Sequence, residues 1–432
     1  MVVGLGVSGL AAARLLSSQG ARLLLTDVRT DVGNGSLPPG EIHLGGEDPQ
    51  WLGDVDLVVA SPGVPPTSRL IVEADRRNIP VISELELAGR FIEAPVVAVT
   101  GTNGKSTVTT LIGEILKAAY RRVFVGGNLG TPLSEAAAGA FDAAVVEVSS
   151  FQLERIEQFK PRVGVYLNLA EDHLDRYRDL DDYGRAKARL FDNQNGTDWA
   201  ILNRDDPRVW RLRGEIAARV ISFGFSPAES TPAVGYKRRE IIFDGRPGFG
   251  RIGLANFRLP GRHNVANAMA AAAAALALEV APTVIEARLA SFAGLPHRTE
   301  TVAERNGVTY IDDSKGTNVA SVVEALAAAH APVVLIAGGM DKGGDYTPLL
   351  EPLREKVRLL ILIGAARDRM RAALDGATQV ELLPTLDQAV RRASEAARRG
   401  DTVLLSPACS SFDQFRNYAE RGRVFQELVR AL

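Results

Sequence analysis

The chain is short of cysteine, of lysine and of long apolar runs. Its single cysteine, Cys409, excludes an internal disulfide and fits a reducing compartment. No window of about 18 residues is both apolar and uncharged, so no segment reads as a membrane span. The first residues lack the basic start and apolar core of a secretory leader, and a cytoplasmic location is expected. Positive charge is not in excess either. Against 50 Lys and Arg stand 52 Asp and Glu, a formal net charge of −2, so no global field draws the chain to nucleic acid or to an anionic membrane. Lysine is scarce, with 8 residues against 42 arginines. A lysine kept in such a chain is a candidate for work that arginine cannot do, as a compact ammonium or a modifiable amine. Lys105, Lys187, Lys315 and Lys342 all fall in the motifs below.

What the chain does have is length and alternation. Its 432 residues, 46% apolar and 24% charged, suffice for about two to four domains with full cores. Over residues 1–91, the apolar stretches Val2-Val3, "ARLLLTD" and "DLVVASPG" alternate with a helical "GLAAARLLSSQG", which predicts a parallel sheet covered by helices. Gly4 follows Met1 so closely that a stretch missing from the start is expected. A second βα series opens at "APVVAVT", runs through "AAVVEVSS" and "RVGVYLNLA", and extends to about residue 294. Its "SPAESTPAVGYKRREIIFDGRPGFGRIG" reads as short strands and loops, and the alanine run from Ala270 to Ala275 as a tightly packed buried helix. After "GLPHR", a third series carries strands "VTYIDDS", "PVVLIAGG", "RLLILIG" and "DTVLLSP". The chain is therefore predicted to be α/β, in three domains spanning 1–91, 92–294 and 295–432, with no low-complexity linker between them.

Two glycine loops open helices. Gly4, Gly6 and Gly9 match GxGxxG between a strand and a helix, and Asp27 ends the next strand. Glycine lets the backbone turn tightly and approach a pyrophosphate at the helix N-terminus. Any nucleotide diphosphate satisfies that geometry, and so does a tight strand–helix turn that holds no ligand. In the second loop, Gly104, Lys105 and Ser106 follow an apolar strand and start a helix whose Val108, Leu111, Ile112, Ile115 and Leu116 fall at helical spacing. Backbone N–H groups there would cradle phosphate, Lys105 would reach the β/γ-phosphates and Ser106 would ligate Mg²⁺. The full GxxxxGK[ST] pattern is not met, because its first glycine position is Val99.

The second loop, "TGTNGKST", resembles the variant phosphate loop of the Mur ligases and of their relative, folylpolyglutamate synthase. The rest of the chain follows that superfamily in order: "GGNLGTP", "EVSSFQLE", "NLAEDHLDRY", "YGRAKARLF", "LPGRHNVANAMAA", "FAGLPHRTE", "DDSKGTNVAS", "AGGMDKGGDY" and "LLSPACSSFDQFRNYAERGRVF". "EVSSFQLE" and "SPACSSFDQF" are most similar to the branch that adds D-glutamate to UDP-N-acetylmuramoyl-L-alanine in peptidoglycan precursor synthesis. The GxGxxG start argues against folylpolyglutamate synthase and leaves open the sister ligase that adds L-alanine. The resemblance implies a Rossmann-like UDP-binding domain, a central P-loop-type ATP-binding domain and a Rossmann-like C-terminal domain. One loop would hold the UDP end of a cell-wall precursor and the other ATP. The implied reaction is amide ligation: the γ-phosphoryl of ATP passes to a carboxylate, and an amine captures the acyl phosphate.

Site roles are carried over position by position. ATP is implied at Gly101, Thr102, Asn103, Gly104, Lys105, Ser106, Thr107, Asn264, Asn267, Arg298, Asp313 and Lys315, with His297 supporting Arg298. Asn264 and Asn267 read also as helix caps. The UDP-substrate is implied at Val7, Ser8, Gly9, Asp27, Arg29, Gly63, Asn128 and His173. D-Glutamate is implied at Thr317, Lys342, Ser411 and Tyr418, an ammonium and hydroxyls suited to two carboxylates. The family often has Phe at the last of these. Two Mg²⁺ ions are implied at Ser106, Glu147, His173 and a carbamylated Lys187. Read without the resemblance, Glu147 past its strand end is a metal candidate ahead of a satisfied carboxylate, His173 reads as a structural histidine and Lys187 as a solvated helix lysine. Lys105, Glu147, His173, Lys187 and Arg298 form the implied catalytic set. A nicotinamide-dependent dehydrogenase would leave the second loop and the third series unexplained. A non-catalytic nucleotide binder would have no need of the intact catalytic set. The partners expected are small molecules only, with no nucleic acid and no membrane insertion. A monomer is expected, and a hinge near Leu295.

Overall fold

The computed structural model describes every residue except 33–36, 129, 138, 231, 246–249 and 342. Among the described residues, three sheets mark three α/β domains. The first contains β1 (Val2–Val3), β2 (Leu24–Asp27), β3 (Glu41–Leu44), β4 (Val58–Ala60) and β5 (Val81–Ser83), in the order β3-β2-β1-β4-β5, all parallel. β1 has two residues, yet both faces are covered. Val2 joins Leu25, Val59 and Ile82 in one apolar cluster, and Val3 joins Val58, Leu70 and Ile71 in another.

The second sheet contains β6 (Val96–Thr100), β7 (Val123–Gly127), β8 (Ala143–Glu147), β9 (Val163–Tyr166), β10 (Trp199–Asn203), β11 (Arg219–Phe223), β12 (Ala233–Lys237), β13 (Glu240–Asp244) and β14 (Gly250–Gly253). It runs parallel from β7 to β12 and ends in the antiparallel pair β13 and β14. The Gly/Pro-rich stretch thus forms short strands, as its composition predicts. The alanine run lies in the helix Arg262–Ala277, and Ala270 to Ala275 are all fully buried. Small side chains allow this close packing.

The third sheet contains β15 (Glu300–Arg305), β16 (Val308–Asp312), β17 (Val333–Gly338), β18 (Val357–Ile363), β19 (Gln379–Leu382) and β20 (Thr402–Leu405), in the order β15-β16-β20-β17-β18-β19. Only β15 in it is antiparallel to its neighbour. Along β17, Val333, Leu335 and Ala337 face one core while Val334 and Ile336 face the other.

The chain divides into two compact units. One holds residues 1–169, 184–257 and 266–291, and therefore the first two sheets together; the other holds 170–183, 258–265 and 292–432. Within the first unit, the helix Glu84–Gly89 ties the first sheet to the second. Fully buried Glu86 accepts hydrogen bonds from the backbone N–H groups of Glu157, Gln158 and Phe159 at 2.9, 2.9 and 2.8 Å, and from Arg90 Nε at 2.8 Å.

Candidate active site

In the first unit, the GxGxxG loop is built for close approach. Gly4 has φ +86°, a left-handed conformation that favours glycine. A Cβ on Gly9 would sit 1.8 Å from the Gly4 carbonyl oxygen, so the helix Val7–Ser18 can start against the loop only with glycine there. Asp27 locks the loop to the end of β2. It accepts from Leu5 N–H at 2.7 Å and from the Arg29 guanidinium at 2.9 and 2.8 Å. That guanidinium holds the Asp27 carboxyl down at about 2. Both carboxylate oxygens are thus engaged, and Asp27 aims Arg29.

A cavity of about 550 Å³ lies over this loop, within the size range of ligand sites. Of the sequence-predicted residues, Val7, Ser8, Asp27, Arg29, Gly63 and Asn128 line it, and Gly9 does not, being packed beneath the loop. Gly127, at the end of β7, and Gln152, in the helix Ser150–Leu153, complete its wall from the second domain. Gln152 was in view within "EVSSFQLE" but carried no role there. It is also the capping-box partner of Ser149.

The second loop starts the helix Lys105–Ala119, whose Ser106 and Thr107 are buried. Gly101 has φ +145° and Gly104 φ +85°. A Cβ on Gly104 would come within 2.5 Å of Asn267 Oδ1, so this glycine keeps room between the loop and Asn267. Lys105 Nζ donates to the carbonyls of Gly101 and Thr102 at 2.9 and 2.7 Å, folding the ammonium over its own loop. Asn168 braces the loop from β9: its Oδ1 accepts from Asn103 N–H at 2.9 Å, and its carbonyl accepts from Thr102 N–H at 3.0 Å. Sequence reasoning gave Asn168 no role. Val99 pairs with Glu147 across β6 and β8, which puts Glu147 on the strand beside the loop. Glu147 is buried and accepts from Asn128 Nδ2 at 2.7 Å, joining a predicted metal ligand to a residue of the UDP-type cavity. Lys187 is 1% exposed, which overturns the solvated-helix reading.

In the second unit, His173 takes φ 56°, unusual for a non-glycine residue, and its ring packs edge-on to Tyr183 at 6.0 Å. Asn264 Nδ2 donates to the Pro260 carbonyl at 2.6 Å. Asp313 accepts from Ser406 Oγ at 2.7 Å and from Thr299 N–H at 3.2 Å, while burial pushes its carboxyl up to about 6. Neighbouring Arg298 opposes that rise. Lys315 Nζ lies 3.7 Å from the centre of the Tyr418 ring, bringing a predicted nucleotide lysine onto a predicted amino-acid residue. His297, Glu300 and Asp312 cluster closely enough to suggest a cation. However, Gln426 Nε2 donates to Glu300 and Asp312 at 3.0 and 2.9 Å, and a donor between two carboxylates marks a hydrogen-bonded brace. His297 Nδ1 lies 2.6 Å from Asp312 in the same brace, beside Arg298. Fully buried Arg421 donates from Nε to Ser314 Oγ at 3.0 Å and from Nη2 to the Ser314 and Cys409 carbonyls, tying the loop after β16 to the loop after β20. Ser411 is buried on that second loop. Thr317, with Asn318, Asp341 and His173, lines a cavity of about 200 Å³. Lys342 lies outside the described residues.

Three family models cover the chain in order. "Mur ligase MurD-like, N-terminal domain" matches residues 1–83, "Mur ligase middle domain" residues 99–275, and "Mur ligase, glutamate ligase domain" residues 297–409. The chain is 47% identical to a UDP-N-acetylmuramoylalanine–D-glutamate ligase of Geotalea uraniireducens, over all of this chain and 97% of that protein. It is 46% identical, with the same coverage, to the protein of that name from Syntrophotalea carbinolica. In fold it is similar to a pseudomurein peptide ligase type C from Methanothermus fervidus, with a TM-score of 0.65 at 20% identity over 100% of this chain and 99% of that one. A glycine loop at each of two helix starts, set in one compact unit and matched along the full length by these models and relatives, leaves one assignment: the chain belongs to the Mur ligase family.

Proposed function

We propose that this chain is an ATP-dependent ligase that joins D-glutamate to UDP-N-acetylmuramoyl-L-alanine through an acyl phosphate. The observation that carries the reading is the pairing, within one unit, of the 550 Å³ cavity over the GxGxxG loop with the glycine cradle at the helix Lys105–Ala119. Val7, Ser8, Asp27, Arg29, Gly63, Asn128 and His173, with Gly9 shaping the turn, take the UDP-substrate. Gly101 to Thr107, Asn267, Asn264, Arg298, Asp313 and Lys315 take ATP. Thr317, Lys342, Ser411 and Tyr418 take D-glutamate. The domains run over 1–91, 92–294 and 295–432.

Magnesium fits the donors of the first unit. Ser106 supplies a hydroxyl and Glu147 a carboxylate, both hard oxygen ligands. His173 and a carbamylated Lys187 complete the proposed set for two ions, and among basic side chains lysine alone offers the amine that carbamylation uses. When bound, Mg²⁺ supplies neutralisation of phosphate charge. The chain's own groups do the rest. Lys105 and the loop N–H groups orient the phosphates, and Arg298 steadies the transferred one. The enzyme works as a monomer in the cytoplasm, where its nucleotide-linked substrate is made.

Purified protein with ATP, Mg²⁺ and UDP-N-acetylmuramoyl-L-alanine is expected to release one ADP per glutamyl product when D-glutamate is added. UDP-N-acetylmuramate with L-alanine is expected to give no product. Product from the second mixture and none from the first would replace this reading with the alanine-adding one.

A further inference from the structure

The 200 Å³ cavity of the second unit poses a charge problem. Its lining includes Thr317, proposed above as an amino-acid contact, but also the carboxylates Glu171, Asp172, Asp341 and Asp345, and among the described residues no arginine. A dianionic amino acid approaching such a wall meets repulsion. The charge of Asp341 is answered by a residue outside the cavity. Arg369, on the helix Arg367–Ala373, pairs through Nη1 with Asp341 Oδ2. Its Nη2 donates to the Gly344 carbonyl at 2.7 Å, and its guanidinium lies 5.2 Å from the centre of the Tyr346 ring.

The same carboxylate organises the loop. Asp341 Oδ1 accepts from Gly343 N–H at 3.0 Å and from the Tyr346 hydroxyl at 2.9 Å. On the other side, Met340 and Ser410 exchange backbone hydrogen bonds at 2.9 and 3.1 Å, next to Ser411. Asp341, Gly343, Gly344 and Tyr346 are thus tied together, and Arg369 is the anchor that comes from the helix Arg367–Ala373. Hydrogen bonds led by that of Arg369 outweigh burial and keep the Asp341 carboxyl below its ordinary value.

We propose that Arg369 is a positioning residue for the acceptor amino acid: it holds Asp341 and, with it, Gly343, Gly344 and Tyr346, and it cancels the negative charge that Asp341 would otherwise turn toward a dianionic substrate. The proposal rests on the functional reading above. Arg369 is about half exposed, so its replacement leaves the core intact. Steady-state kinetics test it. Arg369→Ala is expected to raise KM for D-glutamate at least ~10-fold while KM for ATP and for the UDP-substrate stays within about twofold. Arg369→Lys, which keeps the charge but not the fork, is expected to recover part of the loss. Adding Asp341→Asn to Arg369→Ala is expected to lower the glutamate KM again, because the uncompensated charge is gone. A merely structural role would make that double variant worse. An unchanged glutamate KM in Arg369→Ala, an equal rise in all three KM values, or a lowered Tm with unchanged KM would overturn the proposal. Failure of the wild type to use D-glutamate at all would overturn the functional reading and this proposal together.

Discussion

At Asp313, burial pushes the carboxyl up from 3.8 to about 6, while Ser406 and Thr299 hold its two oxygens. The folded value lies above the unfolded one, so the fold favours the protonated form. The stability this group contributes is full below about pH 4 and is lost as pH rises through about 6. In the proposed ATP site the resemblance puts a ribose hydroxyl on Asp313, and there ligand binding runs the other way, because the ionised carboxylate is the stronger acceptor. Adenosine carries no titrating phosphate, and its affinity is expected to improve about tenfold from pH 5 to pH 7. Asp313→Asn is expected to flatten that dependence, as titration calorimetry would read. A wild-type affinity that does not change with pH would contradict the role. At this scale the sequence was legible wherever the constraint is local. Gly4 and Gly104 need left-handed backbone, and their motifs show it. Lys187 was not legible, because a lysine in "YGRAKARLF" looks solvated until the packing of the fold buries it.

Elements reveal a different limit. The strands the sequence displayed are the central ones, such as β6, β8, β17 and β18, whose residues are apolar nearly throughout because both faces are covered. β3, β15 and β19 stayed hidden. All three stand at sheet edges with largely uncovered residues, so they lack the apolar run. The helix Glu84–Gly89 was equally opaque in its function, since Glu86 finds its partners about seventy residues further on. That carboxylate collects three backbone N–H groups of one turn and binds the first sheet to the second. Glu86→Gln keeps the shape and removes the charge. It is expected to cost about 1–3 kcal/mol in denaturant unfolding. It is also expected to weaken UDP-substrate binding, because Gly127, Asn128 and Gln152 of the cavity wall come from the second domain. A variant as stable as wild type and equally tight in binding would show that Glu86 does not set this junction.

For the whole molecule, three α/β domains were readable from the alternation of strands and helices, and the glycine loops and ordered motifs carried the family. Sequence could not show that the first two sheets share one compact unit, nor that residues 170–183 and 258–265 belong with the third. Such grouping depends on packing between segments far apart in the chain. It explains why the UDP-type cavity is walled by both of the first two sheets and why Asn128 can reach Glu147. In the proposed reaction, the ammonium and glycine cradle of this unit drive amide formation. The most direct measurement is the rate of glutamyl product formation by Lys105→Ala, with circular dichroism to verify its fold. The account expects a loss of at least about a hundredfold, with UDP-substrate binding retained. Synthesis at the wild-type rate by the folded variant would contradict it.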